Sequence, residues 1–280
     1  MTKLPRTFDH FPDHRRIAEN ILRLLREDER VLGVYLSGSF VAGTPDRYSD
    51  LDLYLLVRKE HRDRLKQDHS ILRAKVGELI SDFPATHMGD PNQIICLYSG
   101  TYPVHVDYQY RAPEELVPRV KDRSALVFWD SSGELRAWKK KCARVRKAYA
   151  PTADAIEYFE DRFWTWCIYA DSKIRRGELW EARDMIEYLR NKVIVPLMSY
   201  SQSLPLEGNR RIESRFSHDM ISALRATLQR GHSRSAYGRA LVAIARLYLN
   251  LVDGVAKQLQ VSITSRESER IRSVLAKYEI

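Results

Sequence analysis

Cysteine is scarce in this chain. Three residues, Cys96, Cys142 and Cys167, are spread over 280 positions and form no CxxC pair and no zinc-binding spacing. That excludes a disulfide scaffold and a cysteine zinc site, and the odd count points to a reducing compartment. No run of roughly 18 apolar residues occurs, so no membrane-spanning helix is expected. The first sixteen residues, "MTKLPRTFDHFPDHRR", lack the apolar stretch of a signal peptide, and the expected location is the cytoplasm. There is no internal repeat and no low-complexity tract. Long blocks of Lys and Arg are missing too. The densest cluster, "WKKKCARVRK" (Trp138 to Lys147), has the spacing of a solvated helix face.

What is present is a globular composition. Hydrophobic residues make up 44% of the chain, with 15 Tyr, 8 Phe and 5 Trp, enough for a substantial core. The net charge of +9 admits a polyanionic partner such as a nucleoside triphosphate. Its dispersal over the chain argues against nucleic acid, since no RNA-binding module is visible.

Secondary-structure signals divide the chain near Pro151. Before it, a helix capped by Asp13 is expected to run to about Glu29. "VLGVYLS" (31–37) and "DLDLYLLV" (50–57) are strand-like, and a long helix is expected over about His61–Asp82. "NQIICLY" and "VHVDYQY" read as a hairpin joined through "SGTYP", and "SALVFWD" as a further strand. After Pro151 the pattern is helical. Helices are expected at Ala153–Trp166, from about Leu179 with a bend or end at Pro196, over 212–229, and over 235–259. Thr264 and Glu267 have the spacing of a capping box for a last helix. The expected fold is α+β: a domain over 1–150 with a mixed sheet flanked by helices, then an α-helical bundle over 151–280.

The chemistry concentrates in "LSGSFVAGTPDRYSDLDLYLLV" (Leu36 to Val57). Side chains alternate along a strand, so Asp50 and Asp52 share one face while Leu51, Leu53 and Leu55 share the other. Two adjacent carboxylates repel, and a divalent cation removes the conflict. Rigid oxygen ligands suit Mg²⁺. In "VHVDYQY", His105, Asp107 and Gln109 share a face, and Asp107 joins the cluster if the two strands are neighbours. Three acids so placed meet the requirement of two-metal phosphoryl chemistry, with metals about 3.5–4 Å apart. Gly38 and Ser39 end the preceding strand, where free backbone N–H groups and the Ser39 hydroxyl can cradle phosphate oxygens.

At Leu36–Ser39 and Asp50–Leu53 the sequence resembles the DNA polymerase beta-like nucleotidyltransferase superfamily, and most of all the bacterial aminoglycoside and lincosamide nucleotidyltransferases. The resemblance implies a Mg²⁺-dependent, antibiotic-resistance type of transferase. It would move a nucleoside monophosphate from ATP, or another NTP, to a hydroxyl of a small acceptor and release pyrophosphate. Asp50 and Asp52 would hold the metal. Asp107 would be the third ligand or the general base, a choice left open because some members use a glutamate near the matching strand. Gly38, Ser39, Ser49 and Lys173 are the candidate nucleotide-binding residues. Glu157, Glu160 and Asp161, at helical spacing beside Tyr158 and Trp164, are candidates for a cationic, sugar-like acceptor, and one of them could instead be the base. The expected assembly is a monomer or homodimer. Two other readings remain open: transfer to RNA or protein, and a non-catalytic nucleotide sensor on the same fold.

Overall fold

The computed structural model describes residues 3–145 and 152–260. The chain divides into two compact units, Met1–Lys147 and Ala148–Ile280.

The first unit is built on a six-stranded mixed sheet in the order β3-β4-β5-β2-β1-β6. Its strands are β1 (Val31–Ser37), β2 (Leu51–Val57), β3 (Leu79–Ala85), β4 (Asp90–Tyr98), β5 (Val104–Arg111) and β6 (Leu126–Asp130). All neighbours are antiparallel except β2 and β5, which run parallel. Alternation decides the two faces. Leu51, Leu53 and Leu55 point to the side covered by helix α1 (Pro12–Arg26) and helix α3 (Arg62–Val76). There they pack with Ile17, Ile21, Leu25, Leu65, Val106 and Tyr108. On the opposite side Tyr35 stacks on Tyr54 at 4.4 Å, and Trp138 and Cys142 of α4 (Glu134–Arg144) close over them. The basic cluster therefore lies on a helix whose apolar positions are buried. Lys140, Lys141 and Arg144 face solvent, while Lys139 Nζ donates to the carbonyls of Asp122, Arg123 and Ala125.

Three expectations need correction here. Asp13 is not the cap of α1: the helix starts at Pro12, a residue suited to the first turn because its missing N–H has no intrahelical role. The helix expected to reach Asp82 ends at Val76, and 79–85 is the edge strand β3. All but its ends are exposed, so no hydrophobic alternation marked it. Its register with β4 slips between Leu79 and Ser81 and between Pro84 and Ala85. The helix expected over 212–229 is two pieces, α8 (Ile212–Arg215) and α9 (His218–Ala226). They are divided at Phe216 because the Ser217 hydroxyl accepts from the Met220 amide and starts a new helix.

The second unit is helical. It comprises α5 (Ala153–Arg176), α6 (Leu179–Leu189), α7 (Val195–Ser201), α8, α9 and α10 (Arg234–Leu259). Its core joins Phe163, Trp164, Ile186, Leu197, Leu241 and Tyr248, with Phe163 stacked on Tyr248 at 3.6 Å. Pro196 does not end the helix. A π-helical turn over Arg190–Ile194 precedes it and absorbs the hydrogen bond that proline cannot make. Arg190, buried in that turn, donates to both the hydroxyl and the carbonyl of Thr227 and so ties α6 to the end of α9. The Thr264–Glu267 signal lies outside the described residues.

Buried His69 of α3 sits between Asp28 (Nε2 to Oδ2, 3.2 Å) and the Tyr110 hydroxyl (3.0 Å), and burial lowers its pKa below 6.5. The folded state therefore resists protonating it. Its contribution to stability is complete above pH 6.5 and is lost as pH falls through the lowered folded value. Urea denaturation between pH 7 and 5 should show stability falling by up to about 1.4 kcal/mol per pH unit from this group. In His69→Gln the same slope should flatten.

Candidate active site

Ten residues separate Ser39 from Asp50, and the fold closes that distance. Strand β1 ends at Ser37. Gly38 then takes φ 81° and ψ −158°, a conformation open only to glycine, and the one-turn helix α2 (Ser39–Ala42) follows. A left-handed Gly43 ends it and the chain returns through Thr44–Ser49 into β2. Ser37 pairs with Asp52 across the β1–β2 ladder. A methyl group on Gly38 would lie 2.2 Å from Asp52 Oδ2. The glycine is thus required twice, once by its backbone angles and once by the carboxylate against it.

Parallel pairing of β2 with β5 puts Asp52 directly beside Asp107. Oxygens of Asp50, Asp52 and Asp107 all lie within 4.8 Å of one another. Among the described residues this is the one group of three or more His, Cys, Asp or Glu side chains arranged to hold a metal ion. Hard oxygen donors in a rigid, closely spaced set fit Mg²⁺. One residue after Gly38, the Ser39 hydroxyl is buried and has no hydrogen-bond partner, a costly state that a ligand oxygen would relieve. The charge of the cluster is felt by its neighbours. His105 Nε2 lies 3.0 Å from Asp107 Oδ1, and that hydrogen bond, followed by the charges of Asp107, Asp50 and Asp52, raises the histidine pKa. Tyr54, next along β2, is pushed up to about 12 by burial and by Asp52.

The first turn of α1 holds the two loops that feed this cluster, a role no local sequence signal announced. Buried His14 donates from Nε2 to the Ser49 carbonyl at 2.9 Å, one residue before Asp50. Asp13 Oδ2 accepts from the Thr101 amide at 2.8 Å in the β4–β5 loop. That hydrogen bond lowers the Asp13 pKa, and Gly100 leaves the space for the carboxylate.

The remaining candidates are placed differently. The Ser49 hydroxyl is engaged in its own turn, accepting from the Asp46 amide at 2.9 Å. Lys173, in the helical unit, is held 2.9 Å from both Glu178 and Glu181, and these carboxylates raise its pKa. Its charge is therefore already matched locally. On α5, Glu157 and Asp161 are exposed, whereas Glu160 is half-buried and accepts a hydrogen bond from Tyr248. The three do not form one equivalent acidic surface.

Gly38→Ala should force Asp52 out of position and strain the backbone. We expect catalytic turnover to fall about 10²-fold or more, with a stability loss of about 1–3 kcal/mol. Steady-state kinetics and urea denaturation of the variant check both.

Comparison with known proteins bears on this site. No curated protein matches the chain. Among solved structures, the crystal structure of an aminoglycoside 6-adenyltransferase from Bacillus subtilis is similar at 15% identity. The match covers 93% of this chain and 97% of that one, with a TM-score of 0.44. The streptomycin adenylyltransferase family matches over residues 13–278, which takes in the Gly-Ser turn, the three acids and most of the helical unit. The chain belongs to that family and is a nucleotidyltransferase.

Proposed function

We propose that the protein transfers AMP from ATP to a hydroxyl of an aminoglycoside and releases pyrophosphate. The observation that carries this is the convergence of three carboxylates, one of them against Gly38 of a turn whose next residue, Ser39, has an orphaned hydroxyl. Gly38 and Ser39 bind the triphosphate through backbone N–H groups and the Ser39 Oγ. Asp50, Asp52 and Asp107 hold Mg²⁺. When bound, the metal offsets the charge that builds on the α-phosphate and on the departing pyrophosphate. The acceptor oxygen forms a bond to the α-phosphorus as the bond to the bridging oxygen breaks, and its proton passes to a carboxylate of the site. The three acids, fixed on neighbouring strands, contribute by holding their geometry through the reaction.

The helical unit supplies acceptor-binding groups in this proposal. Glu160, half-buried, is committed to a hydrogen bond from Tyr248. Exposed Glu157 and Asp161 add negative charge along α5. A cationic, sugar-like acceptor fits that combination, and so does the family membership.

The test is incubation of the protein with ATP, Mg²⁺ and a panel of aminoglycosides that includes streptomycin, read by mass spectrometry. The expected product is one acceptor carrying a single added AMP, and EDTA should abolish it. Asp50→Ala and Asp52→Ala should each lower turnover by about 10³-fold or more, while the melting temperature changes by less than about 4 °C. Near-normal turnover in either variant, or transfer that survives EDTA, rejects the assignment.

A further inference from the structure

Asp107 carries a hydrogen-bonded neighbour on its own strand. His105 lies two residues earlier on β5 and on the same face of the sheet, with Nε2 3.0 Å from Asp107 Oδ1. A carboxylate oxygen only accepts, so Nε2 carries the proton and donates it. The side chains differ in exposure: 13% for Asp107 and 42% for His105. The imidazole thus caps the carboxylate from the solvent side and commits one of its two oxygens.

We propose that His105 is a positioning residue that fixes the Asp107 carboxylate so that its other oxygen completes the metal-binding set, a role that rests on the metal assignment above. The physical need is plain. Asp107 stands within 4.8 Å of two like charges, and repulsion favours any rotamer that swings it away. Asp52 is confined by Gly38, whose Cα leaves no room for a methyl group. For Asp107 the imidazole N–H provides the restraint. Outer hydrogen bonds of this kind to a ligating carboxylate commonly govern metal affinity or activity by 10- to 100-fold.

The experiment titrates Mn²⁺ into the full-length protein with a non-hydrolysable ATP analogue and reads free Mn²⁺ by electron paramagnetic resonance. His105→Phe keeps the ring and removes the donor, and we expect it to weaken Mn²⁺ binding about 10-fold. It should lower kcat by a similar factor and leave KM for ATP within about twofold. His105→Gln restores an N–H donor and should retain binding within about threefold. Asp107→Asn is the control for the underlying assignment. If Asp107→Asn loses Mn²⁺ while His105→Phe binds it as the unaltered protein does, the positioning role is overturned and the metal set stands. If Asp107→Asn itself binds normally, the metal set falls and the positioning role falls with it. Thermal unfolding of each variant identifies any that fail to fold. Should His105→Phe be among them, His105→Ala takes its place beside His105→Gln, and equal Mn²⁺ binding by those two overturns the role.

Discussion

Strands β2 and β5 run parallel and set the backbones of Asp52 and Asp107 side by side, so the two residues cannot part without breaking the ladder. Asp50, two residues from Asp52 on the same face, joins them. A pair of such charges about 4 Å apart near a protein surface costs on the order of 4 kcal/mol. The sheet carries that cost because its opposite face is densely packed: Leu51, Leu53, Leu55, Val106 and Tyr108 are buried against α1 and α3. One strand pair thus supplies both the stability and the electrostatic tension.

Each acid has its own restraint. Asp52 abuts Gly38, the peptide before Asp50 is gripped by His14, and Asp107 accepts from His105. The restraints come from three separate parts of the unit: the turn after β1, the first turn of α1, and β5 itself. Orientation of the cluster is therefore a property of the whole α/β unit, as preorganised electrostatics requires. Family membership and the local geometry agree on the class of chemistry while coming from independent observations.

Much of this was legible in the sequence because the relevant periods are local. Alternation along "DLDLYLLV" and "VHVDYQY" separated acids from apolar residues without any tertiary knowledge, and the α+β class followed from strand-like segments ahead of helical ones. What was not legible is long-range or exposed. His14 and Asp13 act 35 and 88 residues away, on the carbonyl of Ser49 and the amide of Thr101. Lys173 looked available for phosphate because its partners, Glu178 and Glu181, lie beyond its own helix. Strand β3 escaped because an edge strand in water need not alternate. The break at Ser217 was overlooked because the apolar period runs on past it, although serine is a favoured helix start.

The same edge strand has a consequence for life at high concentration. A sheet with an open side invites a second molecule to extend it, and exposed Ile80 and Phe83 would make such an extension adhesive. Two slips in register and a proline interrupt the regular row of donors and acceptors that a newcomer would need. Growth of the sheet is discouraged on this side by irregularity, so apolar side chains can stand in water there without offering a template for polymerisation.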